Sequence, residues 1–209
     1  MEQHCYPFEN LPLPYDYNAL EPNIDGKTME IHHDVLLRGY VDRLNELLAC
    51  QPKLQCMSLE QLLRGQLPAA CPDRFRLRFE AGGVYNHRFF FRGMTPGGSN
   101  PSRRMEQILC RAFGGMEELR HRMVELAACV GGSSYIWLVL CGDRLRLVTT
   151  AGQEAPISQG LSPVLGLDLW EHAYFLKHIS DRRQYAEDWF DLIDWKRAES
   201  CYLSGFRGY

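Results

Sequence analysis

The sequence predicts an α+β fold: an N-terminal long-helix hairpin, then a C-terminal α/β domain around a small three-stranded antiparallel sheet. Three observations lead there. Apolar residues recur at three- and four-residue steps over 28–49, the period of an amphipathic helix, and a second long helix is expected over 74–92. YIWLVLC (135–141) and RLRLVTT (144–150) flank Gly142-Asp143, the pattern of a β-hairpin closed by a two-residue turn. TPGGSNPS (95–102) breaks all periodicity and divides the chain into a helical domain, 1–95, and an α/β domain, 96–209.

Residues 1–27 hold several prolines and aromatics, including Pro7, Pro12, Pro14, Tyr15, Tyr17 and Pro22, and read as an extended arm ordered by packing. The first helix begins at Thr28, taken as its cap, and runs to about Ala49. His32, Leu36 and Tyr40 lie along one stripe of it. A connection over 50–74 contains a short helix, signalled by Ser58 with Gln61 three positions on. The second long helix, 74–92, carries Gly82 and Gly83, each costing about 1 kcal/mol of helix propensity, so either the backbone is closely approached there or the helix starts after them.

Beyond residue 102 come two helical patterns separated at Gly114-Gly115, then the hairpin, whose second strand alternates Arg outward with Leu inward. A third strand near Val164 to Leu167 completes the sheet. Helices are expected from Leu169 to about Ser180 and from Gln184 to about Ala198.

With 45% hydrophobic residues among 209, the chain can bury a sizeable core. A formal charge of −3 with mixed signs offers no basic face for nucleic acid. No apolar stretch approaches the roughly 20 residues that span a bilayer, and the N-terminus lacks a secretory pattern, so a soluble cytoplasmic protein without membrane or nucleic-acid partners is expected. Eight scattered cysteines without C-x-x-C spacing read as reduced thiols, several of them buried. Phosphate loops and nucleophile elbows are absent from the sequence.

Asp168 and His172 are four residues apart in DLWEHAYF; were Asp168 already helical, both would face one side. Carboxylate oxygen with imidazole nitrogen suits iron, manganese or zinc. The plainer reading is a helix start with a packed histidine. His87, after Asn86 in an aromatic run, and His32, on a buried stripe, are each of a kind that, taken alone, is more often structural than ligating. His4, His121 and His178 read as surface or tail residues.

IHHDVLLRGYV, YNHRFFF and DLWEHAYF together resemble, in order and spacing, three signature segments of the iron/manganese superoxide dismutase family. LPYDYNALEP resembles the family's N-terminal arm, and WLVLCGDRLRLVTTAGQEAP and the C-terminal helices align as well, so the likeness covers nearly the whole chain. It implies an antioxidant oxidoreductase with one manganese or iron ion per subunit, held between the two domains by His32, His87, Asp168 and His172. It further implies that superoxide becomes dioxygen and hydrogen peroxide as the ion is alternately reduced and reoxidised. Gln153 takes the position of the amide that bonds the solvent molecule on the metal, and Tyr40 that of the gateway phenol. Iron-type members carry that amide where this chain has Gly83, so manganese is favoured.

The same resemblance implies a homodimer or higher homo-oligomer, with Glu171 of one chain meeting His172 of the other. Trp137, Trp170 and Tyr174 surround the site, and Arg182 keeps the position of an arginine near the substrate funnel. There are departures: the family's gateway histidine is Leu36, its interface tyrosine is Phe175, its steering lysine is Val35, and a tryptophan near the metal is Tyr135. Two alternatives therefore stand beside an active dismutase: a metal-binding relative with weak turnover, and a structural homologue of this fold without activity.

Overall fold

A computed structural model describes residues 5–65, 67 and 73–205. The arm predicted for the N-terminus is extended and anchored by side chains. The Phe8 amide donates to Asn45 Oδ1 at 2.8 Å, Asn45 Nδ2 donates back to the Phe8 carbonyl at 2.8 Å, and the Tyr15 hydroxyl donates to the Phe91 carbonyl at 2.7 Å. A single 3-10 turn, Tyr17–Leu20, leads into the first helix.

That helix has three parts: α1 (Gly26–Glu30), a π-helical segment (Ile31–Leu37) and α2 (Arg38–Ala49). Its cap is Asp25, not Thr28: the Asp25 carboxylate accepts from the Thr28 amide at 2.9 Å and from the Thr28 hydroxyl at 2.5 Å. Thr28 is the residue being capped, a role open to any residue two or three places inside a helix. The Ser58 capping box forms as predicted at the start of α3 (Leu59–Arg64), with both reciprocal bonds present. The second long helix, α4 (Arg74–Arg92), runs unbroken through Gly82 and Gly83 and packs against α2 and α3.

Residues 95–102 form no helix or strand but are hydrogen-bonded: the Thr95 and Ser99 amides donate to the carbonyls of Leu192 and Ile193, and Asp194 N donates to Gly93 O. Helices α5 (Arg103–Phe113) and α6 (Met116–Cys129) follow, separated at Gly114-Gly115. Strands β1 (Ser134–Cys141), β2 (Arg144–Ala151) and β3 (Ser162–Asp168) form one antiparallel sheet in the order β2-β1-β3. Central β1 is buried nearly end to end, whereas β2 alternates exposed arginines with inward Leu145 and half-buried Leu147.

The C-terminal helices differ from the sequence expectation. After β3 comes a 3-10 turn (Glu171–Ala173) and a single-turn α7 (Phe175–His178), not a helix from Leu169 to Ser180. The expected helix over 184–198 is two, α8 (Arg182–Phe190) and α9 (Trp195–Gly205), because 191–194 are bound to the turn at 93–99, including a bridge between Met94 and Ile193. His178 is buried, its Nε2 2.9 Å from Asp188 Oδ2, which corrects its reading as a surface residue; His121 is exposed, and His4 lies outside the described residues. The seven described cysteines are all unpaired, and none is fully buried; Cys71 lies outside the described residues. Among the described residues no helix is long and apolar enough to cross a membrane.

Candidate metal centre

Four side chains from four places in the chain converge at one buried point. His32 comes from the π-helical segment, His87 from α4, Asp168 from the end of β3 and His172 from the 3-10 turn. Of the stripe predicted on one regular helix, His32 and Leu36 lie in the segment wound at the wider π pitch and Tyr40 in α2. His32 and Tyr40 are buried, while Leu36 is half-buried. Asp168 is not in a helix as its spacing to His172 suggested; a reversal of the chain after β3 brings the two together.

Each candidate offers one ligand atom, and the four atoms lie within 4.8 Å of one another. His32 Nε2 is 3.3 Å and His172 Nε2 3.5 Å from Asp168 Oδ2. His32 Nε2, His87 Nε2, Asp168 Oδ2 and His172 Nε2 are all buried with no hydrogen-bond partner. An unsatisfied buried polar atom costs about 1–3 kcal/mol, so four facing one point make sense as a donor set for a cation. Three imidazoles and one carboxylate suit manganese, iron or zinc.

The unmatched second atoms of these residues are mostly held. His87 Nδ1 lies 2.6 Å from the Gly83 carbonyl, which fixes the tautomer with a bare Nε2. Asp168 Oδ1 accepts from the Trp170 amide at 2.8 Å, leaving Oδ2 inward. His33 is excluded, since its Nε2 and Nδ1 lie 2.8 Å from the Leu11 carbonyl and from Asp34 Oδ1. The first histidine of the pair is thus the available one.

Burial in this apolar surround lowers the pKa of His32 to about 4 and that of His87 to about 3, the neighbouring histidines adding to the effect. Burial alone would raise Asp168, but His172 and His32 beside it hold the carboxyl well below its usual range. Both imidazoles are therefore neutral and the carboxylate ionised near neutral pH, the protonation states that metal binding requires.

A second group of polar residues lies against this cluster. Gln153, 2% exposed, donates from Nε2 to the Tyr40 hydroxyl at 3.1 Å. Its Oε1 accepts from Asn86 Nδ2 at 3.2 Å, and Asn86 also donates to the Glu154 carbonyl at 3.3 Å. The Tyr40 ring lies 5.1 Å from that of His87, and burial raises its hydroxyl pKa. Trp170 stacks on His172 at 5.5 Å and donates from Nε1 to the Gly152 carbonyl, while Trp137 Nε1 donates to Thr150 Oγ1. Glu171 is exposed. Arg182 donates to the Tyr174 hydroxyl at 2.9 Å and to the carbonyls of Val130 and Gly132, so it clasps the α6–β1 connection. Asn86, whose amide sets the orientation of Gln153, was not singled out from sequence; its signal is an asparagine in an otherwise aromatic helical stretch.

Family comparison agrees with the geometry. Residues 7–95 match the model of the iron/manganese superoxide dismutase alpha-hairpin domain, and residues 101–201 that of the C-terminal domain. The chain belongs to the iron/manganese superoxide dismutase family. It is 40% identical over 188 residues to "Superoxide dismutase [Mn] 3" of Leptolyngbya boryana, covering 88% of this chain and 78% of that one. It is 39% identical to "Superoxide dismutase [Mn]" of Listeria monocytogenes, across 93% of this chain and 97% of the relative. With "Superoxide dismutase [Mn]" of Thermus aquaticus it shares 37% identity over 94% and 98%. Membership in the superoxide dismutase family makes the chain an oxidoreductase, of a family that uses manganese or iron.

Proposed function

We propose that this protein converts superoxide to dioxygen and hydrogen peroxide at one manganese or iron ion per subunit, held by His32, His87, Asp168 and His172 between the domains 1–95 and 96–209. The observation that carries this reading is the set of four buried, unpartnered ligand atoms within 4.8 Å. When bound, the ion supplies reversible one-electron storage between its divalent and trivalent states. Overall, two superoxide ions and two protons give one dioxygen and one hydrogen peroxide.

The chain's own residues supply position and protons. Gln153, oriented by Asn86, and Tyr40 form a chain of donors reaching from the cluster, and Tyr40 stays protonated because burial raises its pKa. Phe90 and Phe91 pack on His32, at ring separations of 5.4 and 4.8 Å, and keep bulk water from that side.

Manganese is favoured. The relatives above carry manganese in their names, and the amide comes from Gln153. An alternative amide at position 83 has no room, since even a Cβ there would lie 2.2 Å from the Tyr40 ring.

A homodimer, acting as a cytoplasmic antioxidant enzyme, completes the reading. Val35, Phe175, Leu176 and Ile179 are each more than half exposed, and Phe175, Leu176 and Ile179 follow closely on Glu171 and His172, an apolar surface suited to a second copy. A second reading, metal binding with poor turnover, is favoured by Leu36 and Val35 at the gate.

Dismutation activity and metal content after separate reconstitution with manganese and with iron test the proposal. Activity with either ion supports it. Stoichiometric metal with no activity replaces it with the second reading.

A further inference from the structure

Tyr135 is the second residue of β1, and the sheet register sets it directly opposite Asp168 on β3. Side chains directly opposite in an antiparallel pair share a face, with Cβ atoms about 4.5–5.5 Å apart. Its ring is fully buried, stacked on Trp137 at 5.4 Å and edge-on to His87 at 6.5 Å. Phenylalanine would fill that space equally well. The hydroxyl oxygen is what calls for an account, because it is buried with no hydrogen-bond partner and so carries a cost of about 1–3 kcal/mol.

Asp168 Oδ2 is likewise buried and unpartnered. A phenol hydroxyl and a carboxylate oxygen thus sit on paired residues of adjacent strands, each short of a partner. A carboxylate offers about four lone-pair sites. Asp168 spends one on the Trp170 amide and has capacity left for both a cation and a phenol.

We propose that Tyr135 is a positioning residue whose hydroxyl donates to Asp168, directly or through one solvent molecule, and so sets the donor strength of that carboxylate. The proposal rests on reading Asp168 as a metal ligand. Donation draws electron density from the carboxylate and favours the less charged state of the ion, so the hydroxyl raises the reduction potential. An indole N–H could donate at the same place but, unlike a phenol oxygen, could not accept.

The test uses the full-length protein and its Tyr135→Phe and Tyr135→Trp variants. Each is loaded with Co(II), whose visible bands report the ligand field without turnover, and separately with manganese for potentiometry. The Phe variant loses one hydrogen bond, so it is expected to fold with an unchanged or slightly lowered melting temperature, while its Co(II) bands shift and its manganese potential falls. The Trp variant returns both towards the parent. Should Tyr135→Phe fail to fold, the Trp arm decides: parent-like bands support a donor role, and displaced bands overturn it. Unchanged bands and potential in a folded Phe variant overturn this proposal alone. A parent protein that takes up no Co(II) and no manganese overturns the metal reading, and this one with it.

Discussion

A Cβ built on Gly82 would lie 2.0 Å from the carbonyl oxygen of Gln153, so helix α4 and the turn after β2 touch backbone to backbone where the Gln153 amide is mounted. On an exposed helix, Gly→Ala gains about 1 kcal/mol. Here it forces the Gln153 backbone away, and overpacking of this kind costs about 1–3 kcal/mol or more. Gly82→Ala is expected to lose about 2 kcal/mol net at the upper end of that range, or roughly 4–8 °C in melting temperature. It should lower activity further than Gly83→Ala, whose clash is with the Tyr40 ring rather than with backbone. Calorimetry with a dismutation assay checks both, and a stabilised Gly82→Ala variant would contradict the contact.

His87 and Gln153 separate binding from turnover. His87→Ala removes one of four convergent donors and leaves the others around a void, so most bound metal should be lost. Gln153→Leu leaves all four in place and removes only the amide that links Asn86 to Tyr40. It should keep metal near the parent level and lose about 10²- to 10⁴-fold in turnover, the usual worth of positioned proton transfer. Metal analysis beside kinetics decides, and equal metal loss in both variants would mean that Gln153 is structural.

Much of this site was legible because ligand types and spacing were enough to suggest the family, and local signals such as Ser58-x-x-Gln61 act within one turn. What was not legible depends on distant partners. His178 looks exposed until Asp188, ten residues on, is found 2.9 Å away. Asp168 continues an apolar run that could begin a helix, and only pairing with β1 makes it the end of a strand. The π pitch at 31–37 has no period of its own in the sequence, and the break at 191–194 is imposed by the turn at 93–99.

Acid should destabilise the metal-free protein over a defined range. His32 and His87 have folded pKa values of about 4 and about 3 against an ordinary 6.5. Between roughly pH 6.5 and 4 the unfolded chain binds a proton at each and the folded chain does not, so stability rises with pH there and falls on acidification. Two such groups give a slope of at most about 2.7 kcal/mol per pH unit. Asp168, whose folded pKa is depressed, contributes above its unfolded value near 3.8 and is lost only below it, so it is silent in this window. Unfolding free energies from urea titrations between pH 7 and 4.5 should fall on acidification with up to that slope. His87→Gln should roughly halve it, and an undiminished slope would show that His87 is not the group held neutral.

In the proposed homodimer Leu36 of one copy would face Phe175 of the other, the two positions that the resemblance assigns to a histidine and a tyrosine. Here Leu36 is half-buried and Phe175 is 52% exposed within the single chain, so a covering partner would meet apolar groups at both ends. Leu36→His or Phe175→Tyr alone places an unpaired polar group in that interface, at about 1–3 kcal/mol. Each single variant should weaken the proposed homodimer by about 5- to 150-fold. The double variant restores donor and acceptor together, so its dissociation constant should return to within about threefold of the parent, a strongly non-additive cycle. Sedimentation equilibrium measures all four proteins. If the two substitutions simply add, the residues do not face each other across an interface, and their joint replacement in this chain is no paired change at all.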